Sequence, residues 1–107
     1  MNEMETINAT NFEIKVIKSS KPVLLDVSAE WCGPCKRLEP ELEKLANTWK
    51  EDVLMVRLDL DASSDVAGRY HVMGVPTLIL FKDGKEVARS VGYKPVDGLL
   101  KIFSPHI

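Results

Sequence analysis

The chain has 107 residues, of which 45% are hydrophobic and 28% are charged, a balance typical of a single globular domain that spans residues 1–107. Its 14 Lys and Arg residues against 16 Asp and Glu residues give a net charge of -2 and form no basic stripe, which argues against nucleic acid as a ligand. No apolar run approaches the ~20 residues that cross a bilayer, and the polar N-terminus lacks the features of a secretory signal. We therefore expect a cytoplasmic protein that binds no membrane.

The first half of the chain alternates between predicted strands and helices. A short strand is expected near residues 5–8, and Thr10 with Glu13 suggests a capping box that opens a helix over about 10–18. Short, almost continuous apolar runs predict buried strands. There are three such runs, at residues 23–27, 53–58 and 77–81.

The second half adds shorter elements to this pattern. A short helix is predicted at 63–70, and Asp83-Gly84 predicts a tight hairpin into a last strand at 86–91. The last helix is predicted to start at Pro95, because the apolar residues after it recur at helical spacing. Strands that alternate with helices, followed by a hairpin, predict an α/β fold with a mixed sheet.

The chain has two cysteines, Cys32 and Cys35, separated by two residues. A disulfide between them would close a very small loop and stabilise the fold little, so their spacing favours redox chemistry over a structural cross-link. A zinc site is the weaker alternative, because His71 and His106 are the only nitrogen donors and lie far along the chain. Two inert buried cysteines are the other alternative. No metal is expected.

Both cysteines lie at the start of a predicted long helix. Its apolar stripe runs through Leu38, Leu42, Leu45 and Trp49, and extending the stripe backwards places Cys35 on the inward face. Cys32 lies one turn earlier, where unpaired N–H groups stabilise a thiolate and lower its pKa. We therefore assign Cys32 as the nucleophile and Cys35 as the resolving thiol. Between them, Pro34 favours the helix start and Gly33 leaves the sulfurs open to approach.

Asp26 interrupts the first apolar run and is open to two interpretations. It is either a strand-end residue facing solvent or a buried carboxyl, which is costly unless it is paired or protonated. Burial would raise its pKa towards neutral pH, which suits proton transfer. By the residue pattern alone, Arg57 in the second apolar run is a solvated charge at a strand edge.

The run Ala29-Glu30-Trp31-Cys32-Gly33-Pro34-Cys35-Lys36 resembles the active-site signature of the thioredoxin family. The resemblance covers nearly the whole chain. Its further motifs are Asp26, Gly74-Val75-Pro76-Thr77, Phe81-Lys82-Asp83-Gly84 and Gly92. It implies the thioredoxin fold, an α/β fold with a central mixed five-stranded sheet flanked by four helices.

The family also implies roles for individual residues. Asp26 would be a buried acid–base group near Cys35, with its pKa tuned by Arg57, which stands where the family commonly has Lys. The Val75–Pro76 peptide bond would be cis and face the cysteines, although most X-Pro bonds are trans. The backbone of Val75 would pair with a substrate chain as an added strand. The expected docking surface consists of Trp31, Gly33, Pro34, Gly74, Val75, Pro76 and Gly92.

The chain departs from the family pattern in a few places. Val27 and Ser28 stand where the family often has Phe-Trp, which changes the packing under the active-site loop. Met73 precedes Gly74 in the loop that carries Pro76, where it can affect the choice of partner. Neither departure involves the cysteines.

The resemblance implies a general protein-disulfide reductase. Such a protein is a monomer that takes electrons from a thioredoxin reductase and passes them to disulfide-containing target proteins. It needs no cofactor of its own, because the flavin and NADPH belong to the reductase. Two other functions stay open at this point. One is a binding module in which the cysteines are secondary, and the other is a disulfide-forming oxidant in an oxidising compartment.

Overall fold

The computed structural model describes residues 4–107. Its strands are β1 Glu5–Ile7, β2 Val23–Ser28, β3 Leu54–Asp59, β4 Thr77–Lys82 and β5 Lys85–Val91. They form one five-stranded mixed sheet in the order β1-β3-β2-β4-β5. The pairs β1/β3 and β2/β3 are parallel, whereas β2/β4 and β4/β5 are antiparallel. The predicted hairpin is confirmed, with Asp83 and Gly84 at positive φ between β4 and β5.

Helices cover both faces of the sheet, as the resemblance implied. Within residues 4–107 there are four α-helices, and a π-helical turn at Glu13–Ile17 extends the first. These helices are α1 Ala9–Phe12, α2 Gly33–Trp49, α3 Ser64–Arg69 and α4 Val96–Phe103. Each face has its own apolar cluster, with α1 and α3 on one side and α2 and α4 on the other. Among the described residues, no helix combines the length and apolar character needed to cross a membrane.

The start of the first helix differs from the expected capping box. Asn8 is the N-cap, and its Oδ1 accepts hydrogen bonds from the backbone N–H groups of Thr10 and Asn11 at 2.9 and 3.3 Å. Asn11 Oδ1 accepts the N–H of Asn8 in return at 2.8 Å. Thr10 is therefore inside the helix and not its cap. Asn is among the best N-cap residues, so the helix begins as soon as the chain reaches Asn8.

A buried glutamate links the two helices on the face that carries the cysteines. Glu41 lies on the inward side of α2 with 8% of its surface exposed, and its Oε1 accepts the N–H of Val96 at 2.9 Å. That N–H belongs to the first turn of α4, where Pro95 offers no side-chain cap. Glu41 thus caps α4 from the neighbouring helix and fixes α4 against α2.

Candidate functional site

Cys32 and Cys35 form a disulfide at the start of α2, directly after β2 and a short loop. Cys35 begins the inward stripe of α2 that continues through Leu38 and Leu42, as predicted. Both cysteines are buried, with 3% and 8% of their surfaces exposed. The expectation of open access at Cys32 is therefore wrong for the disulfide form, because Ala29 and Val75 pack around the pair.

The position of Cys32 nevertheless distinguishes it chemically from Cys35. Cys32 is the N-cap of α2, and its Sγ accepts the backbone N–H of Cys35 at 3.1 Å. The first-turn N–H groups of a 17-residue helix carry partial positive charge, which stabilises a thiolate at this position. Cys35 lies one turn further along α2, inside the helix, and donates its own backbone N–H to the sulfur of Cys32.

The loop before β4 meets the cysteine pair from the opposite side. Val75 packs against the cluster of Ala29, Cys32 and Cys35, and the Val75–Pro76 peptide bond is cis, as the family resemblance implied. Pro76 O accepts the N–H of Gly92 at 2.8 Å, which joins this loop to the end of β5.

One further hydrogen bond and one backbone conformation order the same loop and its neighbour. The hydroxyl of Thr77 donates to Gly74 O at 2.7 Å and closes the turn before β4. Gly92 has a φ of 86°, a left-handed conformation that strains any residue with a Cβ. The residues of the expected docking surface therefore come from three segments, namely the start of α2, the loop at 74–76 and the end of β5.

Trp31 is the large apolar residue at the edge of the cysteine pair, with 68% of its surface exposed. Its indole Nε1–H donates to Asp61 Oδ2 at 2.7 Å, which holds the ring in one orientation. The sequence indicated Trp31 but not Asp61, since the two are separated by 30 positions and no local pattern links them.

Asp26 is buried and faces α2, so the interpretation that it points to solvent is wrong. It is 2% exposed, and it accepts a hydrogen bond at 3.0 Å from Nε of Arg57, its register partner on β3. Burial raises the pKa of Asp26 from 3.8 to about 6, and the charge and hydrogen bond of Arg57 act in the lowering direction. Arg57 is therefore a partner of Asp26 and not a freely solvated charge.

A cleft of about 350 Å³ lies beside Cys35 and Arg57. Ser28 also lines it, so a small polar residue stands where the family often has a tryptophan. A water molecule needs about 30 Å³, so the cleft has room for several between Arg57 and Cys35. Among residues 4–107, no group of three or more His, Cys, Asp and Glu side chains is placed to share a metal ion.

Comparison with known proteins gives a consistent result. The Thioredoxin family model matches residues 3–104. The chain is 48% identical to the thioredoxin of Chlamydia trachomatis serovar D over 103 residues, which cover 96% of this chain and 98% of the relative. It is 45% identical to the thioredoxin of Mycobacterium bovis over 92% of this chain and 87% of the relative. Identity to the thioredoxin of Bacillus subtilis is 38%, over 97% of this chain and 100% of the relative. The chain belongs to the thioredoxin family, and its Cys32–Cys35 pair carries out thioredoxin-type dithiol–disulfide exchange.

Proposed function

We propose that the protein is a general protein-disulfide reductase in which Cys32 attacks the substrate. The thiolate of Cys32 forms a bond to one sulfur of the substrate disulfide, and the other substrate sulfur leaves and takes up a proton. Cys35 then loses its proton and attacks Cys32, which releases the second substrate thiol and leaves the Cys32–Cys35 disulfide. The observation that carries this assignment is the hydrogen bond from the Cys35 N–H to Cys32 Sγ at the helix start.

Asp26 is proposed as the group that accepts the proton of Cys35. With its pKa raised to about 6, the carboxyl is mostly ionised at pH 7 and yet basic enough to take a proton. No hydrogen bond joins Asp26 to Cys35 among the described residues. Cys35 and Arg57, the partner of Asp26, line the same cleft, so water in this cleft is proposed to carry the proton towards Asp26. Arg57 keeps the pKa of Asp26 from rising further.

The docking surface is proposed to bind an extended segment of the substrate. Val75 packs against the cysteines and offers backbone beside them, which suits pairing with a substrate strand. Trp31 supplies an exposed apolar platform. The other members of the surface are Gly33, Pro34, Gly74, Pro76 and Gly92. Met73 is 94% exposed beside this surface, where it can contact a partner.

The proposal includes the cellular setting. A thioredoxin reductase would supply the electrons and proteins with accessible disulfides would receive them, as is usual for the family. We place the protein in the cytoplasm as a monomer formed by a single domain over residues 1–107.

The reductase activity is tested by turnover of a disulfide-containing protein with NADPH and a bacterial thioredoxin reductase. We expect NADPH oxidation that depends on both the reductase and this chain. Each NADPH consumed should release two thiols from the substrate, because two electrons pass through one disulfide. A folded protein that binds the substrate but supports no NADPH oxidation would contradict the proposal and favour a binding module.

A further inference from the structure

The ion pairs of Arg57 extend past Asp26 to a second acidic residue, which lies on α2. Arg57 Nε lies 3.0 Å from Asp26 Oδ2, and Arg57 Nη2 lies 2.7 Å from the carboxylate of Glu39. The side chains of Asp26, Arg57 and Glu39 are 3%, 27% and 48% exposed, in that order. The guanidinium is therefore held between an acid in the core and an acid at the surface.

We propose that Glu39 is a positioning residue for the exchange reaction, which holds the guanidinium of Arg57 against Asp26 and so controls when the Asp26 carboxyl carries a proton. The inference rests on the proposed role of Asp26 in accepting the proton of Cys35. Glu39 lines the same cleft as Cys35, but within residues 4–107 it makes no hydrogen bond to either cysteine, so it acts through Arg57.

Glu39 affects Asp26 in two opposite ways. Its negative charge disfavours ionisation of Asp26 and raises the pKa of that carboxyl. Its hydrogen bond to Nη2, however, restrains the outer end of Arg57, and a restrained Arg57 lowers the pKa of Asp26 through its own hydrogen bond. An arginine side chain has several rotatable bonds, so its bond to Asp26 weakens when the outer end is free.

Three other charged residues line the cleft, and among the described residues none of them forms an ion pair with Arg57. They are Glu30 before α2, Lys36 on α2 and Asp59 on β3. On the other side of β2, Asp26 pairs with Leu78 of β4, which brings no charge. Among the described residues, the ion pairs of Arg57 go to Asp26 and Glu39.

Two variants separate the effect of the negative charge of Glu39 from the effect of its hydrogen bond to Arg57. Glu39→Gln removes the charge and keeps an oxygen that accepts from Nη2, whereas Glu39→Ala removes both. The readout is the titration of the Asp26 carboxyl, followed by carbon NMR in the oxidised protein, where the disulfide-bonded cysteines do not titrate. In Glu39→Gln we expect the pKa of Asp26 to fall below that of the unchanged protein. The protonated fraction at pH 7 should then decrease by about two- to tenfold.

In Glu39→Ala the pKa of Asp26 should lie above its value in Glu39→Gln, because Arg57 is no longer restrained. Glu43→Gln is the matched control. Glu43 lies one turn further along α2, and this substitution removes the same charge as Glu39→Gln. The proposal is overturned if the glutamine and alanine variants give the same titration, if neither differs from the unchanged protein, or if the Glu43 control shifts equally.

This titration needs no enzymatic activity, so it separates the inference from the proposed role of Asp26. The pH dependence of substrate reduction is measured on the same variants. If the Asp26 titration shifts as expected but the pH–rate profile does not follow it, Glu39 still positions Arg57 and the proton-transfer role of Asp26 is wrong. If both move together, with the rate midpoint at lower pH in Glu39→Gln, both proposals are supported.

Discussion

Replacing Cys32 with serine is expected to abolish disulfide reduction, a loss of at least about a thousandfold in rate. A serine hydroxyl is not ionised at neutral pH and cannot take the place of the thiolate in disulfide exchange. The remaining thiol, Cys35, lies inside α2 and not at its N-cap, so it lacks the position at the helix start that favours a reactive thiolate. The measurement is NADPH-coupled reduction of a disulfide-containing protein, with far-UV circular dichroism to confirm that the variant is folded.

Cys35→Ser is the matched variant and should behave differently. Cys32 still attacks, but the mixed disulfide is not resolved, so a covalent adduct with the substrate accumulates. Mass spectrometry locates the bond. An adduct that forms on Cys35 in the Cys32→Ser protein, together with none on Cys32 in the Cys35→Ser protein, would reverse the assignment of nucleophile and resolving thiol.

The second large effect is expected on replacing Asp26 with asparagine, which keeps the shape of the side chain but cannot take up a proton. We expect reduction at pH 7 to slow by about tenfold or more, because general acid–base assistance to Cys35 is lost. The rise in rate through about pH 6, which we attribute to ionisation of Asp26, should disappear from the pH profile. Stopped-flow kinetics over pH 5–8 measure both effects.

The same substitution is expected to stabilise the protein above pH 6. The pKa of Asp26 is raised in the folded state, so the folded protein holds a proton that the unfolded chain releases between pH 3.8 and about 6. Stability of the unchanged protein therefore falls as pH rises through this window. Ionised Asp26 then costs about 3 kcal/mol above pH 6 and nothing below pH 3.8.

Urea unfolding of the oxidised proteins at several pH values tests this dependence. The stability advantage of Asp26→Asn should be absent near pH 3 and grow to at most about 3 kcal/mol by pH 7. Asp59→Asn serves as the control, because Asp59 lines the same cleft but makes no ion pair with Arg57 among the described residues. If Asp26→Asn destabilises the protein equally at every pH, burial does not raise the pKa of Asp26.

The sheet could be predicted closely from the sequence because its strands are short apolar runs. The run at 77–81 corresponds to the observed strand Thr77–Lys82, and the run at 53–58 corresponds to the observed strand Leu54–Asp59. Short apolar runs of this length are typical of strands that helices cover on both faces, and turn residues such as Asp83-Gly84 mark their ends. The first helix cap was predicted less well, since Thr10 with Glu13 and Asn8 with Asn11 both fit a capping pattern and lie two residues apart.

The site could be predicted only where the residues that form it are close in sequence. The helix start at Cys32 and the inward position of Cys35 follow from helical spacing alone. Contacts between distant parts of the chain could not be predicted in this way. Arg57 and Glu39 are 18 positions apart, and Glu41 and Val96 are 55 positions apart. The residue pattern did not decide whether Asp26 is buried, and the family resemblance indicated that it is.

A protein that donates electrons to disulfides must have a low reduction potential, which equilibration with glutathione measures. Gly33 and Pro34 bring no charge to Cys32, so its thiolate depends mainly on the helix start, and the dithiol form gains no extra stabilisation of the kind that makes a strong oxidant. The oxidised protein is equilibrated in a glutathione buffer poised at about -220 mV, and its thiols are then counted. We expect the Cys32–Cys35 disulfide mostly to persist, whereas nearly complete conversion to the dithiol would show that the protein is an oxidant and not a reductase.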